Sequence, residues 1–223
     1  MKRTLAALAS AASALSLAGV AHAAVYDLTL DHCSVACGPQ ASFGTITTSD
    51  DVDGVGMDVS VVLNNGNSFT NTGLNAFVFD LSGTPTITIA NVVSSPSSDT
   101  FSLNLPAPTP GGNQQDGFGK WPYALELGGQ QGGGGGPTQL SFEILGAGTD
   151  LTSFVPVFDS ADNKNVYFSA DIFSGTTGAT GPVGATLTAV PEPATWALML
   201  LGVGAIGATM RASRRSSSGL AAA

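Results

Sequence analysis

The stretch "DVSVVLNNG", Asp58 to Gly66, decides the fold. Side chains of an extended chain alternate between its two faces, so Val59, Val61 and Leu63 share one face while Asp58 and Ser60 point the other way. Asn64-Asn65-Gly66 then supplies a turn signal, because Asn and Gly tolerate the left-handed backbone that tight turns need. The same pattern recurs along the chain. Tyr26, Leu28 and Leu30 share a face, as do Phe77, Phe79 and Leu81, and Phe101, Leu103 and Leu105. Tyr123, Leu125 and Leu127 follow, then Leu140, Phe142 and Ile144, then Val166, Phe168, Ala170 and Ile172. "TPTITIANVV" adds a β-branched strand. Between these runs lie Gly73, Ser82-Gly83, Pro96 and the Pro106–Gly112 cluster. No amphipathic helix is visible before residue 194.

Many short half-buried strands with Gly/Pro punctuation predict an all-β fold, an antiparallel β-sandwich of jelly-roll or Ig-like type. Two stretches read as loops. "GGQQGGGGG" (Gly128–Gly136) is expected to be a flexible connection, and "SGTTGATGPVGAT" (Ser174–Thr186) a loop leading to a last short strand or a stalk.

The ends of the 223-residue chain carry processing signals. Lys2 and Arg3 open a positive start, Leu5 to Val20 is an apolar run, and Ala21-His22-Ala23 is a small-x-small cleavage site. Residues 1–23 thus read as a secretory signal, with the mature chain beginning at Ala24. A domain over residues 24–190 follows. It holds fifteen Asp/Glu, two Lys (Lys120 and Lys164) and no Arg, a formal net charge of 2 minus 15, or −13. Such a surface repels phosphate backbones, which argues against nucleic-acid binding, and it disfavours anionic lipid.

Candidate chemistry in the domain is sparse. Cys33 and Cys37 are its two cysteines, and export makes a disulfide between them permissible; free thiols and, with the adjacent His32, a metal site are the alternatives. Asp50, Asp51, Asp53 and Asp58 crowd "SDDVDGVGMD" with oxygen ligands suited to Ca²⁺, but no Glu closes an EF-hand loop, so a solvated hairpin is the default. Phe118, Trp121 and Tyr123 in "DGFGKWPY" are candidates to stack on a sugar, or to plug one end of the core. Glu126 and Glu143 sit at outward strand positions, which favours solvated residues over a glycosidase pair. With one histidine in the domain and no G-x-S-x-G, no catalytic residue or cofactor is expected.

The tail, "VPEPATWALMLLGVGAIGATMRASRR" from Val190 to Arg215, has three parts in a fixed order. Pro191-Glu192-Pro193 holds the backbone extended. Ala194 to Met210 is an uncharged 17-residue run at the short end of a membrane-spanning helix. Arg211, Arg214 and Arg215 then orient the end toward the cytoplasm. Residues 216–223 read as a disordered tail. This segment resembles the PEP-CTERM sorting signal of Gram-negative bacteria. The resemblance implies recognition of Pro191, Glu192 and Pro193 by an exosortase-type membrane protease. It further implies a membrane-anchored precursor and a cell-surface or matrix destination rich in exopolysaccharide, as in biofilm. "DGFGKWPYALEL", "LSFEI", "YFSADI" and "TGATGPVGA" are similar to parts of β-rich proteins that often carry this tail; that likeness says nothing of chemistry. The expected role is a non-enzymatic structural or carbohydrate-contacting module, with a secreted polysaccharide hydrolase or a protein-binding adhesin as alternatives.

Overall fold

A chain of short amphipathic strands must bury one face of each, and here it does so by rolling a single sheet. The computed structural model describes residues 23–50, 56–73, 75–96, 99–104, 113–129, 132–146, 153–189, 202–204 and 206–207. The signal segment before Ala23, Asp51, Asp53, Leu105, Pro191–Pro193, most of the apolar run, the arginines 211, 214 and 215, and the tail 216–223 lie outside those residues. The strands are β1 (Ala23–Asp31), β2 (Gly44–Asp50), β3 (Gly56–Leu63), β4 (Ser68–Phe69), β5 (Phe77–Phe79), β6 (Thr88–Ser95), β7 (Phe101–Asn104) and β8 (Asn113–Gln115). They continue with β9 (Gly119–Trp121), β10 (Tyr123–Leu127), β11 (Gln139–Leu145), β12 (Val157–Asp159), β13 (Lys164–Val166), β14 (Phe168–Phe173) and β15 (Thr180–Ala189). All belong to one compact unit, Ala21–Pro191. No helix among the described residues is long and apolar enough to cross a membrane.

Eleven strands form one antiparallel sheet in the order β6-β11-β3-β2-β1-β15-β14-β5-β10-β7, with β4 paired to β14. Tyr26, Ile46, Val61, Phe77, Phe101, Leu125, Phe142, Phe168 and Val183, from nine different strands, are buried in one cluster, and Ile89 of β6 packs against it. Phe142 of β11 meets Phe77 and Phe79 of β5 at 5.9 and 6.2 Å between ring centroids, although those strands are far apart in the order. The edges β6 and β7 are consecutive in the chain, and Ser94 Oγ donates to the Asp99 carbonyl between them at 2.8 Å. The all-β antiparallel expectation holds, but one sheet curls nearly into a barrel where two separate sheets were expected. Among the described residues, β6 and β7 stay as the two edges of the sheet, with no ladder between them.

The outer face of this sheet is partly covered. The hairpins β8–β9 and β12–β13 lie outside the main sheet, and Phe118, Trp121 and Val166 from them form a second buried cluster with Val78 and Ala124. β5 is therefore buried on both faces, as is β10 up to Leu125, beyond which Glu126 is exposed. This layer corrects three sequence expectations. Leu30 leaves the face of Tyr26 and Leu28: Leu28 pairs with Ala185 and Leu30 with Gly184, so Thr29 is an extra residue whose bulge turns Leu30 to the outer cluster. Val166 belongs to β13 and the outer cluster, not to the inward face of Phe168, Ala170 and Ile172.

The third correction is the largest. The stretch Ser174–Thr186, expected to be a loop leading to a last short strand or a stalk, is strand from Thr180 onward: the ten-residue β15 (Thr180–Ala189) is paired on both sides with β1 and β14. Its glycines are there for close approach. A Cβ at Gly181 would lie 2.6 Å from Cα of Cys33, and one at Gly184 would lie 2.7 Å from the Phe118 ring. The Gly-rich connection before β11 is also tied down where it is described: Gly132 N–H donates to the Asn71 carbonyl at 3.1 Å, and Gly134 lies against the Phe173 ring.

Candidate functional site

Where β1 ends, the chain enters "DHCSVACG", in which the Asp31 carboxylate is held by the loop itself and the His32 Nε2 by a distant segment. Asp31 uses both carboxylate oxygens to accept backbone N–H groups, Oδ1 from Cys33 at 3.0 Å and Oδ2 from Cys37 at 2.8 Å. Cys33 and Cys37 are joined by a disulfide with Cα atoms 5.7 Å apart. Ser174 Oγ donates to the Cys37 carbonyl at 2.6 Å, fixing this loop to the β14–β15 turn. The sulfurs are used in the bridge, so the Asp31, Cys33 and Cys37 group has no thiolate to offer a metal.

His32 projects away from that bridge, toward the two covering hairpins. Its Nε2 lies 3.0 Å from Oδ2 of Asp159, the last residue of β12, and 3.2 Å from Oδ2 of Asp162 in the turn to β13. Asp159 is buried, and its Oδ1 accepts the Ala161 N–H at 2.9 Å, so a local turn aims Oδ2 at the imidazole. The imidazole is held from the other hairpin as well. Its centroid lies 4.3 Å from that of Phe118, and a Cβ at Gly117 would fall 1.9 Å from Nδ1. Gly117 also has φ +84°, which suits glycine, so only a residue without a side chain fits both the turn and the ring beneath it. Sequence reading placed His32 beside the cysteines and missed its carboxylate partners, which lie 127 and 130 residues away. The local signal available was the Asp159-Ser160-Ala161 turn.

A second polar feature lies under the β8–β9 hairpin. Asp171 of β14 is fully buried; its Oδ2 accepts from Thr72 N–H at 2.9 Å and from the Thr72 hydroxyl at 2.7 Å, while Oδ1 has no protein partner. Burial pushes its carboxyl above the ordinary value, the Thr72 bonds pull it back, and the charge of Asp116 adds to the rise. Burial likewise raises Asp80, and burial, with the charge of Asp80 added, pushes the Tyr123 phenol up to about 12.

Phe118, Trp121 and Tyr123 are all buried, Trp121 completely, and they split between the two clusters. Phe118 and Trp121 are apolar anchors of the covering layer, and Tyr123 stacks on Phe79 in the inner core. Asp50 and Asp58 lie on neighbouring strands, with Asp58 opposite Ser49, and among the described residues they join no group of metal-ligating side chains. Glu126 is exposed on β10, and Glu143 on β11 accepts from Asn91 Nδ2 at 2.8 Å.

One comparison with known proteins gives a match: the PEP-CTERM protein-sorting motif fits residues 189–215. No curated protein and no solved structure matches the chain.

Proposed function

We propose that this carrier of a PEP-CTERM sorting motif is exported by its N-terminal signal and held in the membrane by the run Ala194 to Met210. An exosortase-type protease then cuts it near Pro191-Glu192-Pro193, and the β domain passes to the cell surface or extracellular matrix. There it serves as a non-enzymatic structural or carbohydrate-contacting module among exopolysaccharide. The observation that carries the reading is the sorting motif and where it begins. The match starts at residue 189, where β15 ends, and Ala189 still pairs with Val25 of β1. A cut beyond that point removes nothing from the sheet, so processing and folding are separable. The acidic, arginine-free composition of the domain suits a protein that must stay soluble outside the cell.

The non-enzymatic role draws support from the outward carboxylates. Glu126 and Glu143 project from different strand pairs, and Glu143 is engaged by Asn91. A hydrolase would need two carboxyls facing each other across a cleft. Co-sedimentation of the purified chain with polysaccharide extracted from the host matrix tests the role. Binding with no rise in reducing ends supports the module. A rise in reducing ends would make it a hydrolase, and binding only to matrix protein would make it an adhesin.

A further inference from the structure

We propose that His32, Asp159 and Asp162 bind one divalent zinc-class ion, which fastens the β12–β13 hairpin to the end of β1. One imidazole nitrogen and two carboxylate oxygens are ordinary ligands for Zn²⁺, and three protein ligands with an open fourth position is a recurrent zinc arrangement. Tetrahedral Zn²⁺ with bonds of about 2.0–2.1 Å needs donor atoms roughly 3.3 Å apart. Nε2 lies 3.0 Å from Asp159 Oδ2 and 3.2 Å from Asp162 Oδ2, and all three atoms fall within 4.8 Å of one another.

Direct hydrogen bonding does not satisfy this arrangement. A neutral imidazole has one N–H at most on Nε2, and it cannot point along both directions at once. One carboxylate oxygen would then face the nitrogen without a proton between them. A cation at the centre serves all three atoms together, and its two positive charges balance two carboxylates and a neutral imidazole. The supports around the ligands are those a metal site needs. Ala161 N–H holds the second oxygen of Asp159 at 2.9 Å, and Gly117 and Phe118 fix the plane of the imidazole. The Asp162 side chain is 43% exposed, which gives the ion a path in and leaves water a place at the fourth position. Ca²⁺ fits poorly, since it seeks six to eight oxygens and this site offers two and a nitrogen.

The test is calorimetric titration of the untagged full chain, stripped with a chelator and dialysed, with ZnCl₂ and in parallel with CaCl₂. Wild type is expected to take up one Zn²⁺ per chain and to bind Ca²⁺ at least tenfold more weakly. Asp162→Asn lies in an exposed turn and should keep the metal-free melting temperature while binding Zn²⁺ at least tenfold more weakly. His32→Gln should lose the site. Absence of saturable Zn²⁺ uptake by wild type would overturn the proposal, and so would unchanged uptake by Asp162→Asn, whether or not His32→Gln folds.

Discussion

Gly184 in the middle of β15 lies directly beneath the ring of Phe118: a Cβ there would stand 2.7 Å from Cε1 and Cζ, and 3.0 Å from Val166 Cγ1. Phe118 and Val166 are both buried in the outer cluster and come from different hairpins. The absence of one side chain thus seats the whole covering layer. Gly184→Ala should destabilise the protein by about 1–3 kcal/mol, the usual cost of forcing atoms into a packed interior. Chemical denaturation measures it. A variant as stable as wild type would show that the layer is loosely seated.

The buried Asp171 gives a pH dependence with a definite sign. Its carboxyl is raised above the ordinary 3.8, chiefly by burial, so the folded state favours the neutral acid. The stability this contributes is fully present below the unfolded value and is lost as pH rises through the folded one. Asn in its place can still accept both Thr72 bonds and does not ionise. The melting temperature of Asp171→Asn minus that of wild type should therefore rise between pH 4 and pH 8. A difference that stays constant, or falls, contradicts the assignment.

Much of this was legible in the sequence, and the division has a physical basis. Val59, Val61, Leu63, Leu140, Phe142 and Ile144 are buried as their alternation requires, because period two is a local property of an extended chain. The bulge at Thr29 and the strand break before Phe168 changed the faces of Leu30 and Val166, and neither has a local signature. β15 was hidden by its own glycines, which signal loops locally but here permit contact with Cys33 and Phe118. Trp121 looked like a loop aromatic because the sheet face it covers is assembled from β5 and β10, remote from one another in the chain. The His32 cluster was invisible for the same reason, since its partners meet only once the β12–β13 hairpin folds over β1.

The Cys33–Cys37 bridge closes a very short loop that Asp31 already holds through two backbone N–H groups. Chain-entropy reasoning assigns such a bridge roughly 2 kcal/mol. The double variant Cys33→Ser, Cys37→Ser should lose about that much in equilibrium unfolding, yet keep a cooperative transition. In the native exported protein, neither cysteine should alkylate until a reductant is added. Loss of all cooperative unfolding in the double variant would mean that the bridge, not the core, holds the fold.

In the proposed route, Pro191-Glu192-Pro193 marks this chain for cutting while the following run and arginines only deliver and orient it. The direct measurement is a fractionation blot, in a host that has an exosortase, of wild type beside the variant with Pro191, Glu192 and Pro193 changed to Ala. Wild type should appear shortened and outside the inner membrane. The triple-alanine variant should be exported and inserted yet stay in the membrane fraction at its uncut length, because the last strand ends at Ala189, ahead of the three changed residues. If the variant is shortened and released like wild type, the motif is not what the protease reads, and the sorting account is wrong.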